Sequence, residues 1–433
     1  MSFEWQLVRL GDLISLKGGF SYKGECLGSS GPVLLGMGVV SHSERFLKDG
    51  IRRYSGELPS AHRVTAGDMV IATRQQSDNS PILGCAALVP KDLPSEDIVV
   101  GTNLYKVTNT SDVENRFLYW LLRGKEYQRR IIKCSKGTTV RMITKDAIED
   151  FYFLCPPLQT RNKITEFLDA LDERITLLRE TNSTLEIIAQ TLFKSWFVDF
   201  DPVRAKSEGK FPEGMDETTA RLFPDTFEDG ELGLMPKGWI VKSMSEVLKP
   251  KNQRVGDLNV PEYSSTNNGL VPRDKLYLKQ LANSSSKNKL ITRGDIVFGL
   301  SRQILNFGQM NDAIGSVSSA YKVYQVDSSS MLPALMGRLI RTRSHYFFNA
   351  VSASSREGQS ISSEALGFLK FIEPPLDVQR FLWQQIEMLT ESAAHNLLLA
   401  EQLQSIRDTL LPRLISGQLR IADAEEELEK VIA

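Results

Sequence analysis

The chain repeats itself. Val64-Thr65-Ala66-Gly67-Asp68-Met69-Val70 returns as Ile291-Thr292-Arg293-Gly294-Asp295-Ile296-Val297, displaced by 227 residues. Ile143-Thr144 and Pro156-Pro157-Leu158 return as Ile361-Ser362 and Pro374-Pro375-Leu376, displaced by 218, with Ala147, Ile148 and Phe153 matching Ala365, Leu366 and Phe371 between them. Trp5-Gln6-Leu7-Val8 pairs loosely with Trp239-Ile240-Val241-Lys242. A displacement that drifts records loop insertions, so one fold must be built twice with different loops. Each copy reads as a variable globular module followed by a more regular segment.

The modules mix patterns. Short β-rich runs (Met69–Ala72, Leu104–Val107, Ala320–Tyr324) sit between Gly, Asn, Asp and Ser clusters, and helical patterns follow at Phe117–Arg130 and Leu335–Ala350. Each module is expected to be an α+β domain with a largely antiparallel sheet. The segments after each Pro-Pro differ. Ile164, Leu168, Leu171, Ile175, Leu178, Asn182, Leu185, Ala189, Leu192 and Trp196 alternate four and three apart, and Leu382, Ile386, Leu389, Ala393, Asn396, Ala400 and Leu403 do the same. That spacing is a coiled-coil seam, and a mid-seam Asn in each (Asn182, Asn396) is of the type that fixes register. Helices of about 40 residues span roughly 60 Å, and packing the two antiparallel closes the repeat with approximate two-fold symmetry. The fold class is therefore α+β, two mixed α/β modules joined by two long antiparallel coiled-coil helices. The divisions are 1–155 first module, 156–202 first helix, 203–237 linker, 238–373 second module, 374–420 second helix and 421–433 acidic C-terminal tail.

The net charge of −1 over 433 residues hides a pattern, for these segments carry +3 (1–155), −6 (156–237), +7 (238–373) and −5 (374–433). Basic modules suit a polyanion and acidic segments suit something else. No run of about eighteen apolar residues and no secretory leader pattern is present, so a cytoplasmic location is expected. Four scattered cysteines and four scattered histidines argue against disulfide and zinc frameworks. No phosphate-cradling G-x-x-x-x-G-K-[ST] occurs. Cys155-Pro156-Pro157-Leu158 and Glu373-Pro374-Pro375-Leu376 lack the polar acceptor and the aromatic that an amino-methyltransferase places around its target base. The prolines read as stiff helix entries, and catalysis is expected to belong to partners.

Base reading needs side chains such as Arg for guanine and Gln for adenine. After each Gly-Asp turn come Arg74-Gln75-Gln76-Ser77 and Ser301-Arg302-Gln303, at nearly the same offset. Lys136, Thr138, Thr139 and Arg141 precede the Ile143 strand as Arg356, Gln359 and Ser360 precede Ile361, and would grip phosphates or bases. Asn267 and Asn268 are further candidates on an Asn-Asn-Gly turn. At the end of the first long helix, Trp196, Phe197, Asp199 and Phe200 exceed what a two-helix seam can cover and are expected to meet another chain.

Phe193-Lys194-Ser195-Trp196-Phe197-Val198-Asp199-Phe200-Asp201-Pro202, Leu232-Gly233-Leu234-Met235-Pro236-Lys237-Gly238-Trp239, the duplicated Pro-Pro-Leu with its heptads, and Leu411-Pro412-Arg413-Leu414-Ile415-Ser416-Gly417-Gln418-Leu419-Arg420 together resemble the specificity subunit of Type I restriction-modification systems. The resemblance covers nearly the whole chain. It implies two target recognition domains on two long helices, a bipartite double-stranded DNA target, two methyltransferase subunits along the helices, and nuclease/translocase subunits outside them. It implies no catalytic residue, metal or cofactor on this chain, with S-adenosylmethionine, ATP and magnesium on the partner subunits. Two other readings stand beside it: a coiled-coil scaffold or inhibitor that reads no DNA, and a self-contained DNA-modifying enzyme.

Overall fold

The computed structural model describes the chain except residues 1–4, 76–80, 138–139, 267–268, 277–284, 300–305, 350–351, 355–357, 362 and 433. It divides into two compact units, one of residues 1–179 with 397–433 and one of residues 180–396. The division falls within both long helices, Leu158–Lys194 and Leu376–Ile415.

The first unit opens with strand Gln6–Arg9, which pairs antiparallel with Tyr152–Cys155, the strand that runs into Pro156-Pro157. Next comes a four-stranded antiparallel sheet in the order Ile14–Gly18, Leu104–Asn109, Met69–Ala72, Ala86–Leu88. A second sheet orders Arg52–Tyr54, Leu27–Leu35, Ile98–Val100 and Arg63–Val64, with Leu27–Leu35 and Ile98–Val100 parallel. Alternation along Met69–Ala72 shows how they stack. Val70 and Ala72 join Val33, Leu35 and Val100 between the sheets, whereas Met69 and Ile71 face Phe117 and Trp120 of helix Asn115–Arg123. All four are buried, because this strand lies in the middle layer of three.

The second unit repeats this plan strand for strand. Ile240–Ser243 pairs with Lys370–Glu373 before the second Pro-Pro. One sheet orders Leu248–Pro250, Lys322–Val326, Ile296–Phe298, Phe307–Gln309; the other orders Gly269–Pro272, Glu262–Thr266, Ile314–Val317, Lys289–Thr292, again with a single parallel pair, Glu262–Thr266 with Ile314–Val317. The structure thus has two sheets per module where the sequence suggests one. Each helical pattern also divides in two. Extended backbone at Gly124 (φ −63°, ψ 143°) separates Asn115–Arg123 from Lys125–Cys134, and Pro333–Thr342 is followed by Ser344–Asn349.

The long helices begin directly after each Pro-Pro and run 37 and 40 residues. In the first unit Ile164, Leu168, Leu171, Ile175 and Leu178 are buried, the last three against Ala400 and Leu403. Asp172 meets Arg407 and Arg179 meets Gln404, so one helix rises as the other falls. In the second unit the Asn396 side-chain amide donates to Asn182 Oδ1 at 3.1 Å, and Asn182 Nδ2 donates to the Ala393 carbonyl at 2.9 Å. The two seam asparagines pair with each other, which only one register allows.

The stretch 203–237 is packed. It carries the end of helix Asp201–Ser207, helix Glu217–Arg221 and the hairpin Phe227–Gly230/Gly233–Pro236, and it buries Phe223 and Met235 in the second unit. Asp201-Pro202 starts this new helix rather than stopping the long one, which ends in a π turn at Ser195–Asp199. Between them Phe200 takes φ +56° and makes the bend. Residues Ile421–Ile432 form a helix, held by Ala424 in the first unit's core and by Arg413 on Glu427 at 2.7 Å.

Candidate nucleic-acid interface

The Gly-Asp motif is one turn built twice. Asp68 N–H donates to the Thr65 carbonyl at 3.0 Å, and its carboxylate accepts from Thr65 N–H at 2.8 Å and Thr65 Oγ1 at 3.1 Å; Asp295 and Thr292 repeat these bonds at 3.0, 2.7 and 3.1 Å. Gly67 and Gly294 sit at φ +87° and +90°, the left-handed position that such a turn gives to glycine. Both turns launch the middle-layer strand toward the candidate base-reading residues.

In the first module two candidate groups converge. Strand Arg74–Gln75 pairs antiparallel with Arg141–Met142, with Gln75 opposite Arg141, and Lys136 exchanges both backbone hydrogen bonds with Met142 at 2.9 Å. Arg74, Arg141 and Lys136 thus share one small ribbon. Lys136 is exposed and the two arginines are half-buried, with Arg74 Nε donating to Met142 Sδ at 3.2 Å. Gly137 closes the ribbon at φ +99°, where a Cβ would lie 2.2 Å from the Val140 carbonyl oxygen. Gln75 is a correction. It is 6% exposed and its Oε1 accepts from Leu83 N–H at 3.3 Å, so it braces its own loop instead of facing a base.

Gln76, Ser77, Thr138, Thr139, Asn267, Asn268, Ser301, Arg302, Gln303 and Arg356 lie outside the described residues. Gln359 and Ser360 stand on strand Gly358–Ser360, paired antiparallel with Ser352–Ser354.

Strand register reveals cations that spacing could not. Lys17 and Lys106 stand directly opposite each other in one sheet, a like-charge pairing that costs stability in an isolated protein. Arg63 lies beside them, its carbonyl accepting from Lys106 Nζ at 2.5 Å. His62 adjoins the group, and burial, followed by the charges of Lys17 and Lys106, holds its pKa below the ordinary value. The Arg63 guanidinium is already paired with Asp97 at 2.6 Å, so Lys17 and Lys106 are the facing like charges that a phosphate backbone would relieve.

The first module is fastened to its helices by a buried ionic network. Arg45 donates to Asp169 at 2.7 Å and Asp172 at 3.2 Å, Trp120 Nε1 donates to Asp169 at 2.8 Å, and Arg407 donates to Asp172 at 2.5 Å. Asp169, Asp172 and Arg407 are 2%, 5% and 1% exposed.

The expectation that Trp196, Phe197 and Phe200 meet another chain is overturned. All three are buried in the second unit: Trp196 packs on Phe381 and Phe223, and Phe197 and Phe200 set their rings edge-on to Trp239. Asp199 is half-buried and paired with Lys194 at 2.5 Å. The linker and module 2 supply the cover that the helix seam lacks. Apolar surface is exposed elsewhere, on the long helices, at Leu177, Ile187, Ile188, Met388, Leu397 and Leu398. Among the described residues no group of three or more His, Cys, Asp or Glu could hold a metal, and no helix is long and apolar enough to cross a membrane.

Residues 3–187 match the family described as the Type I restriction modification DNA specificity domain. The resemblance read from the sequence is borne out. The chain is 25% identical over 402 residues to the Type I restriction enzyme HindI specificity subunit of Haemophilus influenzae, covering 79% of this chain and 85% of that protein. It is 24% identical over 334 residues to the Type I restriction enzyme MjaIX specificity subunit of Methanocaldococcus jannaschii, covering 72% and 70%. Among solved structures, the Type I restriction-modification S subunit from M. genitalium has the same fold, with a TM-score of 0.52 at 14% identity over 96% of this chain and 97% of that one. The two-module, two-helix plan is therefore a fold that this chain shares with that S subunit.

Proposed function

We infer that this chain is the DNA specificity subunit of a Type I restriction-modification complex, a non-catalytic protein that recognises DNA and assembles with methyltransferase and nuclease/translocase subunits. The observation that carries the reading is the duplication. One two-sheet module is built twice, each time beside the paired ends of the same two helices, in a chain whose residues 3–187 match a DNA specificity domain. Each module would read one half of a bipartite target. In the first, Arg74 and Arg141 would address base edges, while Lys136, Lys17 and Lys106 would hold phosphates. The exposed apolar residues of the helices, Leu177, Ile187, Ile188, Met388, Leu397 and Leu398, would receive helices of two methyltransferase subunits, which would bring the S-adenosylmethionine and the chemistry. A cytoplasmic location follows from a DNA target.

The test is a salt-dependent binding titration of the chain with its methyltransferase partner. A bipartite duplex should be bound at least about a thousandfold more tightly than random duplex. Equal affinity for both would return the chain to the scaffold reading, and methylation by the purified chain alone would return it to the enzyme reading.

A further inference from the structure

In the first module the facing lysines stand beside a basic residue of the segment that leads into the Gly-Asp turn. That residue is His62, three positions before Thr65, and the 227-residue displacement puts Lys289 at the same position before Thr292. Lys289 opens strand Lys289–Thr292, is 7% exposed, and donates from Nζ to the Tyr321 carbonyl at 2.7 Å. Burial, followed by the charges of Lys322 and Arg254, holds its pKa below the ordinary value. The same kinds of cause act on His62, with Lys17 and Lys106 as the charges.

The cations around Lys289 do not occupy the aligned positions. Strand register sets Val107 opposite Met69 and Tyr324 opposite Ile296, so Val323 takes the place of Lys106. Val107 opposite Leu16 and Tyr324 opposite Pro250 likewise put Lys251 in the place of Lys17. Lys251 is tied internally, donating to Asp295 at 2.6 Å and to Thr292 Oγ1 at 2.7 Å. Two other residues supply the charge. Arg254 stands directly opposite Lys289 in an antiparallel bridge, as Lys17 stands opposite Lys106, and Lys322 follows Tyr321, whose carbonyl Lys289 holds. Arg254 and Lys322 are exposed, and among the described residues neither is paired with a carboxylate. Glu262, bonded to Asn288 nearby, is itself paired with Arg273 at 2.6 Å. Like charges set opposite each other lower stability, and burial of the Lys289 ammonium adds desolvation. Both copies thus concentrate cations at one place, with different residues and against stability.

We propose that Arg254 and Lys322 hold the phosphate backbone of the second half-site, with the buried Lys289 ammonium adding to the field behind them. The site is the second module's counterpart of Lys17 and Lys106, and it reads no base. A phosphate relieves the repulsion that the free chain carries, and the counterions it releases make the gain salt-dependent. The proposal rests on the reading that the chain recognises DNA.

Both are tested on the full chain with its methyltransferase partner, by salt-dependent titration of a matched duplex and of duplexes mismatched in either half-site. Arg254→Gln and Lys322→Gln should each reduce the salt slope by about one and weaken binding to all duplexes alike, by roughly five- to tenfold at about 0.1 M salt. Lys289→Met should weaken binding too while the urea midpoint of the second unit holds or rises, because it removes a buried cation from among its own kind. Unaltered slope and affinity in both glutamine variants, while Lys17→Gln reduces both, would overturn the second-module site and leave DNA recognition standing. Lost discrimination at one base pair with an unaltered slope would overturn it as well, making the two residues base readers. Weaker binding of the methyltransferase with unaltered DNA affinity would overturn it by assigning the cations to a protein carboxylate. An unaltered complex that binds no duplex would overturn the DNA reading and the site with it.

Discussion

Asp172→Ala is the substitution that most directly tests how the first module is held. Asp172 is 5% exposed and accepts from Arg407, itself 1% exposed, and from Arg45. Removing one member of a buried pair costs about 3 to 5 kcal/mol, because the other charge stays desolvated. Arg407 would keep Asp408, at 2.9 and 3.0 Å on the half-exposed side, and Arg45 would keep Asp169, so the lower end, about 3 kcal/mol, is expected. With a urea dependence of about 3 kcal/mol per molar, the first unit's midpoint should fall by about 1 M. Unfolding of a two-unit chain need not be two-state, so the assay is peptide-resolved hydrogen exchange in urea, comparing core amides around Val70 and Leu118 with those around Val297 and Leu339. The loss should be confined to the first pair. Asp172→Leu combined with Arg407→Met replaces the pair by apolar groups and should return to within about 1 kcal/mol of the natural chain. A loss below about 1 kcal/mol, or an equal shift in both units, would refute the reasoning.

Other outcomes follow from single sites. Arg74→Ala should relax discrimination at one base pair of the first half-site by about 1 to 3 kcal/mol, whereas Lys136→Ala should weaken binding to every sequence alike and reduce the salt slope by about one; titrations on matched and single-mismatch duplexes distinguish them. Burial pushes the Cys85 thiol up to about 11, so at pH 8 an alkylating reagent should label Cys85 only on unfolding, as mass spectrometry of the labelled chain will show. His62 has its folded pKa below the unfolded value near 6.5, so the unfolded chain binds the proton more readily and the contribution of His62 to stability should be lost as pH falls below about 6.5, not as it rises. Proton NMR of the imidazole against pH checks the direction.

The repeat was the most legible feature because it needs no propensity. Two copies of Thr-x-Gly-Asp gave two turns with matching hydrogen bonds, and each Pro-Pro marked a helix start within a residue. The heptads located the seam and its paired asparagines. Three things were not readable. The second sheet of each module depends on a parallel pair whose partners are distant in the chain, Val33 with Ile98 and Tyr263 with Val317. An aromatic cluster such as Trp196, Phe197 and Phe200 signals surface to be covered without saying whether another chain or the same one covers it. Gln75 has the right chemistry for adenine, but one backbone N–H of Leu83 claims it, and Lys17 opposite Lys106 became visible only through strand register.

The central claim is that each module reads its own half of a bipartite target. Its most direct test is genome-wide profiling of adenine methylation in cells that co-express this chain with its methyltransferase partner, before and after residues 1–155 are exchanged for the first module of another specificity subunit. The account predicts an asymmetric two-part methylated sequence in which the exchange replaces one half and leaves the other half unchanged. A methylated sequence that changes in both halves, or in neither, would contradict it.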